Sequence, residues 1–130
     1  MKILVDAMGG DKAPEEIIMG ALEASKGSDV EIILIGNEEK IKPYLQAAKK
    51  TVEIVNAVEV ITNDEQPVKA IRKKKESSIV KGLRLLKEGK VQAMVSAGST
   101  GALMAGGLFI LGRLEGIDRP AIATLFPTDK

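Results

Sequence analysis

The sequence predicts an α/β fold, a doubly wound and largely parallel sheet with helices on both faces, and three observations carry that expectation. Apolar runs at Ile3–Ala7, Glu31–Ile35 and Val91–Ser96 are short and nearly continuous, as in strands buried on both faces of a sheet. Segments with apolar residues three and four apart lie between them, at the spacing of helices that pack on such a sheet. Glycine closes the first two runs, at Gly9-Gly10 and Gly36-Asn37, where the chain passes from strand to helix. Strands joined by helical crossovers run parallel, with right-handed connections.

In chain order, Ile3–Ala7 is the first strand. Pro14 suits the first position of a helix, Glu15 and Glu16 complement its dipole, and Ile17, Ile18, Ala21 and Leu22 give it an apolar face through Ser25. Glu31–Ile35 is the second strand, and Glu38–Lys50 the second helix, with Ile41, Leu45 and Ala48 at core spacing. Val52–Val55 and Val58–Ile61 read as extended, and Asn63–Pro67 as a turn. One or two helices follow over Val68–Glu88, with Ile79, Leu83 and Leu86 inward. Val91–Ser96 is a further strand, Thr100–Leu111 a helix and Ala121–Leu125 a last extended run. Leu125–Lys130 leaves an extended apolar segment and a turn with nothing after them, so we expect residues 1–130 to be one α/β domain forming the N-terminal part of a longer chain, the alternative being a natural tail after an edge strand.

Composition narrows the chemistry. With 130 residues the chain suits one domain and is long enough to bury a core. Its formal net charge of +1 gives no global argument for nucleic acid, and Tyr44, Phe109 and Phe126 are too few aromatics for base stacking. The absence of cysteine excludes disulfides, zinc-thiolate sites and a thiol nucleophile, and the absence of histidine removes the commonest general base and metal ligand. No metal and no cofactor are therefore expected. The N-terminus reads as a strand, without an apolar leader or spanning segment, which makes a cytoplasmic location the default expectation.

Three segments carry candidate chemistry. In an open parallel sheet, ligands bind beyond the carboxyl ends of strands, and Asp6-Ala7-Met8-Gly9-Gly10-Asp11 sits at such an address. Its two carboxylates flank a glycine pair that lets a backbone come close. They suit orienting a nucleophile, holding a metal or accepting hydrogen bonds from Lys12 and arginine side chains; alternatively, Asp6 and Asp11 only tie a turn together. The spacing is not GxGxxG, Glu15 and Glu16 stand where a pyrophosphate would need attraction, and no GxxxxGK[ST] loop exists.

The second segment is Ser96-Ala97-Gly98-Ser99-Thr100-Gly101-Ala102. Gly98 permits a tight bend, Ser99 or Thr100 caps the helix, and Gly101 and Ala102 leave its first amides open to an anion. No acidic residue follows until Glu115. The same small residues, with Ala105, Gly106 and Gly107, also suit a helix packed closely on the sheet. The third segment, Arg72-Lys73-Lys74-Lys75, is a local positive field on a nearly neutral chain, with Ser77 and Ser78 placed to cap the next helix. It fits a phosphate, an acidic protein or a solvated helix face. Arg119, before Pro120, is a lone further cation.

Four stretches, Met1–Glu16 (MKILVDAMGGDKAPEE), Ala70–Ser78 (AIRKKKESS), Val95–Ala105 (VSAGSTGALMA) and Gly116–Ala121 (GIDRPA), together resemble the PlsX-type phosphate acyltransferases of bacterial phospholipid synthesis in order and spacing. The resemblance covers the whole chain, and members of that family are more than twice as long. It implies a fold like that of the isocitrate and isopropylmalate dehydrogenases. It also implies transfer of a fatty acyl group from acyl-acyl carrier protein to inorganic phosphate, by a cytoplasmic homodimer associated peripherally with the membrane.

On that reading Asp6, Asp11 and Lys12 are the catalytic candidates. Gly9, Gly10, Arg72, Lys74, Lys75, Ser96, Gly98, Ser99, Thr100 and Gly101 bind phosphate or substrate. The chain departs from the family's usual histidine at Lys12, where lysine suits anion binding, and from its common asparagine at Ser99. The expected partners are acyl-acyl carrier protein and phosphate, with no nucleic acid. Two other functions compete: a non-catalytic module docking acyl carrier protein through the basic run, and a nucleotide-binding, dehydrogenase-like domain.

Overall fold

The structure, a computed structural model, describes residues 1–129. Strand β1, Lys2–Asp6, is followed by helix α1, Glu15–Ser25, then by β2, Glu31–Gly36, and α2, Glu38–Ala47. Next come β3, Ile54–Asn56, and two helices, α3 at Pro67–Lys73 and α4 at Ser78–Lys87. Strand β4, Ala93–Val95, leads into α5, Thr100–Gly106, which runs on as a π-helical turn over Gly107–Leu111.

All four strands are parallel, in the order β3-β2-β1-β4. Leu4 stands opposite Ile33 on one side and Met94 on the other. The chain therefore steps outward from β1 through β2 to β3, then crosses back to place β4 against the free edge of β1. The alternation of β1 explains how the sheet is covered. Val5 and Ala7 pack with Ile18, Ala21, Leu22, Ile41 and Leu45 from α1 and α2, whereas Leu4 joins Ile33, Ile35, Val91 and the partly buried Leu85 and Leu86 of α4 on the other face. Gly82 of α4 brings that helix close to the sheet, because a Cβ there would meet Met94 and Leu4.

Side chains cap four helix starts: Asn37 accepts from the amides of Glu39 and Lys40, Gln66 from Lys69, Ser77 from Val80 and Ser99 from Ala102, the two serines being caps the sequence suggests. Pro14 differs from expectation: it is the N-cap of α1 rather than its first helical residue. The expected helix to Lys50 ends at Ala47, because Lys49 turns to φ +54° and the Lys50 amide donates back to the Leu45 carbonyl, a left-handed stop.

Other expectations are corrected more substantially. Val58–Ile61, which reads as extended, joins no strand of the sheet and makes a single bridge between Glu59 and Ser77 among the described residues, while Ala57 and Ile61 turn inward. Ala121–Leu125 pairs with no strand among the described residues, and Ile122 and Leu125 are exposed. The helix expected over Thr100–Leu111 widens after Gly106, where the Gly112 amide reaches the Gly107 carbonyl in a π-type bond. The small residues of α5 pack on helices rather than on the sheet: a Cβ at Gly106 would meet Leu83, Ile71 and Ile79 of α3 and α4.

Candidate functional site

The strand order creates one topological switch point, between β1 and β4, and the loops leaving these strands flank the crevice there. They are the two segments Asp6–Asp11 and Ser96–Ser99. Asp6, the last residue of β1, is buried at 1% exposure and is fully engaged. Its Oδ1 accepts from the Met8 amide at 3.0 Å and its Oδ2 from the Ser96 hydroxyl at 2.8 Å. The Ser96 hydroxyl oxygen in turn accepts from the Gly98 amide at 3.1 Å. A carboxylate at the end of one strand thus sets the path of the loop after its neighbour.

The loops touch at their glycines. A Cβ on Gly9 would lie 2.6 Å from the Gly98 nitrogen and 2.9 Å from Asp6 Oδ2, so no larger residue fits without separating the loops. Gly10 adopts φ +112°, a conformation that favours glycine. Beyond this contact lies a cavity of about 200 Å³ lined by Met8, Gly9, Gly10 and Asp11 on one side, Gly98 and Ser99 on another, and Val60–Asn63 as the third wall. Its size suits a small anion or a reacting group rather than a nucleotide. A second, largely apolar hollow of about 460 Å³ starts from Ser96 and Thr100 and runs along Leu103, Leu108 and Leu111 to Ile122. The turn Ser96–Thr100 thus contributes to both spaces.

At the start of α5, Ser99 is the cap. Its Oγ accepts from the Ala102 amide at 3.2 Å, which leaves that amide unavailable to a ligand, contrary to the expectation that the whole first turn is open. Thr100 and Gly101 are exposed, and Pro67 lies against Gly101 where a Cβ would stand 2.8 Å from it.

The cations of the basic run are placed differently from what their adjacency suggests. None lines the small cavity, whose only charged side chain is Asp11. Lys74 is half-buried and donates to the Val60 carbonyl at 2.8 Å and to Glu65 at 2.9 Å. Arg72, Lys73 and Lys75 are exposed and make no ion pair among the described residues. Lys12, exposed and next to Asp11, is the cation adjoining the cavity wall in sequence. Sequence reasoning missed the third wall altogether. The signal was there in Thr62 and Asn63, polar residues after an apolar run, but they read as an ordinary turn.

Glu65 and Asp64 stand out electrostatically. The Lys74 ammonium, and then the Thr62 amide, hold the Glu65 carboxyl below the ordinary glutamate range, and the Thr62 hydroxyl chiefly does the same for Asp64.

Fold and crevice together define an α/β protein with a small cavity at the switch point of a parallel sheet. The chain belongs to the family described as fatty acid synthesis protein, whose model matches residues 1–130, the PlsX family of phosphate acyltransferases. A phosphate acyltransferase of Thermoanaerobacter pseudethanolicus is 59% identical over 129 residues, which make up 98% of this chain and 39% of that protein. One from Caldanaerobacter subterraneus subsp. tengcongensis is 57% identical over 98% of this chain and 39% of its own length. One from Alkaliphilus oremlandii is 52% identical over 100% of this chain and 40% of its length. The chain thus spans about two-fifths of the length of these curated relatives.

Proposed function

We propose that this chain carries the phosphate-binding part of an enzyme that moves a fatty acyl group from acyl-acyl carrier protein to inorganic phosphate, forming acyl phosphate for phospholipid synthesis. The observation that carries the reading is the Gly9–Gly98 contact, tied by Asp6 and Ser96, which borders a small cavity of mixed polar and apolar lining at the switch point. The family membership supports it, since its relatives bear the name phosphate acyltransferase.

The chemistry asks little of side chains. Phosphate is ionised at neutral pH and is its own nucleophile: a phosphate oxygen attacks the thioester carbonyl, the C–S bond breaks and the carrier's thiolate leaves. An enzyme need only hold the phosphate in line, exclude water and stabilise the oxyanion. The Gly9 and Gly10 amides are the donors at the cavity, the Thr100 hydroxyl stands at the adjoining hollow, and Lys12 offsets charge beside Asp11. Asp6 organises the loops rather than reacting. The apolar hollow that begins at Ser96 and Thr100 suits the start of an acyl chain. On the same reading the whole enzyme is a cytoplasmic homodimer, peripheral at the membrane. The strand order suits a doubly wound domain, and the family resemblance implies that it is of the isocitrate and isopropylmalate dehydrogenase type.

A second reading, docking of acyl carrier protein without catalysis, is favoured by the exposed and unpaired Arg72, Lys73 and Lys75. One experiment separates the two. Acyl-acyl carrier protein and phosphate are incubated with this chain, and with this chain joined to the region that follows the matching segment in the Thermoanaerobacter relative; acyl phosphate is trapped as hydroxamate. Hydroxamate from the joined protein is expected. None from either protein, with salt-sensitive carrier binding retained, leaves the docking reading standing and removes the transferase.

A further inference from the structure

Lys74 sits in a run of cations that look free for a ligand, yet its ammonium group is already committed. It donates to the Val60 carbonyl at 2.8 Å and to Glu65 Oε2 at 2.9 Å, so it bridges the two ends of the loop from Val60 to Glu65. The same carboxylate oxygen accepts from the Thr62 amide at 2.7 Å. Inside the loop, Ile61 is 4% exposed and packs with Ile71 and Ile79. The loop is therefore pinned from the core by Ile61 and from outside by the ion pair, and its Val60–Asn63 part is the third wall of the small cavity.

We propose that Glu65 and Lys74 form a clasp that positions the Val60–Asn63 wall, which makes Lys74 a positioning residue for the cavity rather than a phosphate ligand. The inference rests on reading that cavity as the phosphate site. Two physical points support it. A loop whose backbone is held only by local turns samples several positions, and cross-links at both its ends remove that freedom. An ammonium with a carboxylate partner at hydrogen-bond distance also gives a nearby anion little net attraction, because the pair's charges cancel at short range.

The two roles predict opposite signs for one substitution. If Lys74 were a phosphate ligand, Glu65→Gln would free its charge and tighten phosphate binding. If it is a clasp, Glu65→Gln loosens the wall and weakens binding. Inorganic phosphate is titrated into the chain while the amide resonances of Gly9, Gly98 and Ser99 are followed, and amide exchange is read at Thr62, whose amide donates to Glu65. Expected are a roughly five- to tenfold weaker phosphate response in Glu65→Gln and in Lys74→Met, and a double variant no worse than either single one. Faster exchange of the Thr62 amide should accompany the loss in both, with near-normal behaviour in Lys74→Arg.

Tighter or unchanged phosphate binding in Glu65→Gln overturns the clasp, as does an additive double variant. Should Lys74→Met fail to fold, Glu65→Gln and Lys74→Arg still decide the sign. If the wild-type chain shows no phosphate-dependent shift, the phosphate reading falls, and exchange alone judges the clasp: faster exchange in Glu65→Gln upholds it, and unchanged exchange overturns it.

Discussion

At the scale of single residues, the three glycines at the crevice and those elsewhere have different reasons to exist, and matched substitutions separate them. Gly9 has backbone against it, so Gly9→Ala must push the Gly98 loop aside and is expected to cost about 1–3 kcal/mol and to lower phosphate binding. A Cβ on Gly20, on the exposed face of α1, would meet nothing within 4 Å. There alanine should stabilise by about 1 kcal/mol, since helical glycine is entropically unfavourable. Denaturant unfolding of both variants checks the pair, and a stable Gly9→Ala with normal phosphate response would contradict the close contact. The glycine pair and the neighbouring carboxylates were legible in the sequence because both follow an apolar strand. What Asp6 does was not: its partner Ser96 lies ninety residues on, and only the strand order brings them together. Nor could the sequence show that Lys74 is engaged, because Glu65, nine residues earlier, reaches it only when the loop folds back.

At the scale of elements, the long strands and helices were legible where apolar spacing and caps agree, as in β2 with Asn37 starting α2. The misreadings lie where an apolar pattern serves something other than the sheet. Val58–Ile61 alternates like a strand, but Ile61 is turned in to anchor a loop and the backbone leaves the sheet edge. That loop carries an acid-dependence prediction. Because the Lys74 hydrogen bond keeps the Glu65 carboxyl below its ordinary 4.5, its stabilising contribution is present above the unfolded value and is lost only as pH falls through the lower, folded one. The Thr62 amide, which donates to Glu65, should therefore keep its exchange protection, corrected for intrinsic rates, above the ordinary glutamate value and lose it progressively as pH falls below that value through the folded one. In Lys74→Met the loss should begin at higher pH. Loss at or above pH 4.5 in the wild type would contradict the assignment.

At the scale of the whole molecule, the parallel sheet, its covered faces and the placement of both glycine loops at one end follow from the alternation of strands and helices in the sequence. The apolar surface beyond α5 does not. Phe109, Leu114, Leu125 and Phe126 are 57%, 81%, 93% and 79% exposed, far more apolar exposure than scattered single residues usually present. This chain should bind the dye ANS, and joining it to the following region of the Thermoanaerobacter relative should lower that fluorescence; equal fluorescence would show that this region covers none of it. No helix among the described residues is long and apolar enough to cross a membrane. The bond from Asp6 to Ser96 also has a consequence in time. Synthesis at roughly 5–20 residues per second leaves Gly9 waiting roughly 4–18 s for Gly98 to be made. During that interval β1 can pair with β2, but the Asp6 carboxylate has only water and the adjoining turn to bind. A nascent chain therefore has no crevice for phosphate to occupy, and ligand linkage can stabilise only the finished arrangement, never the growing one.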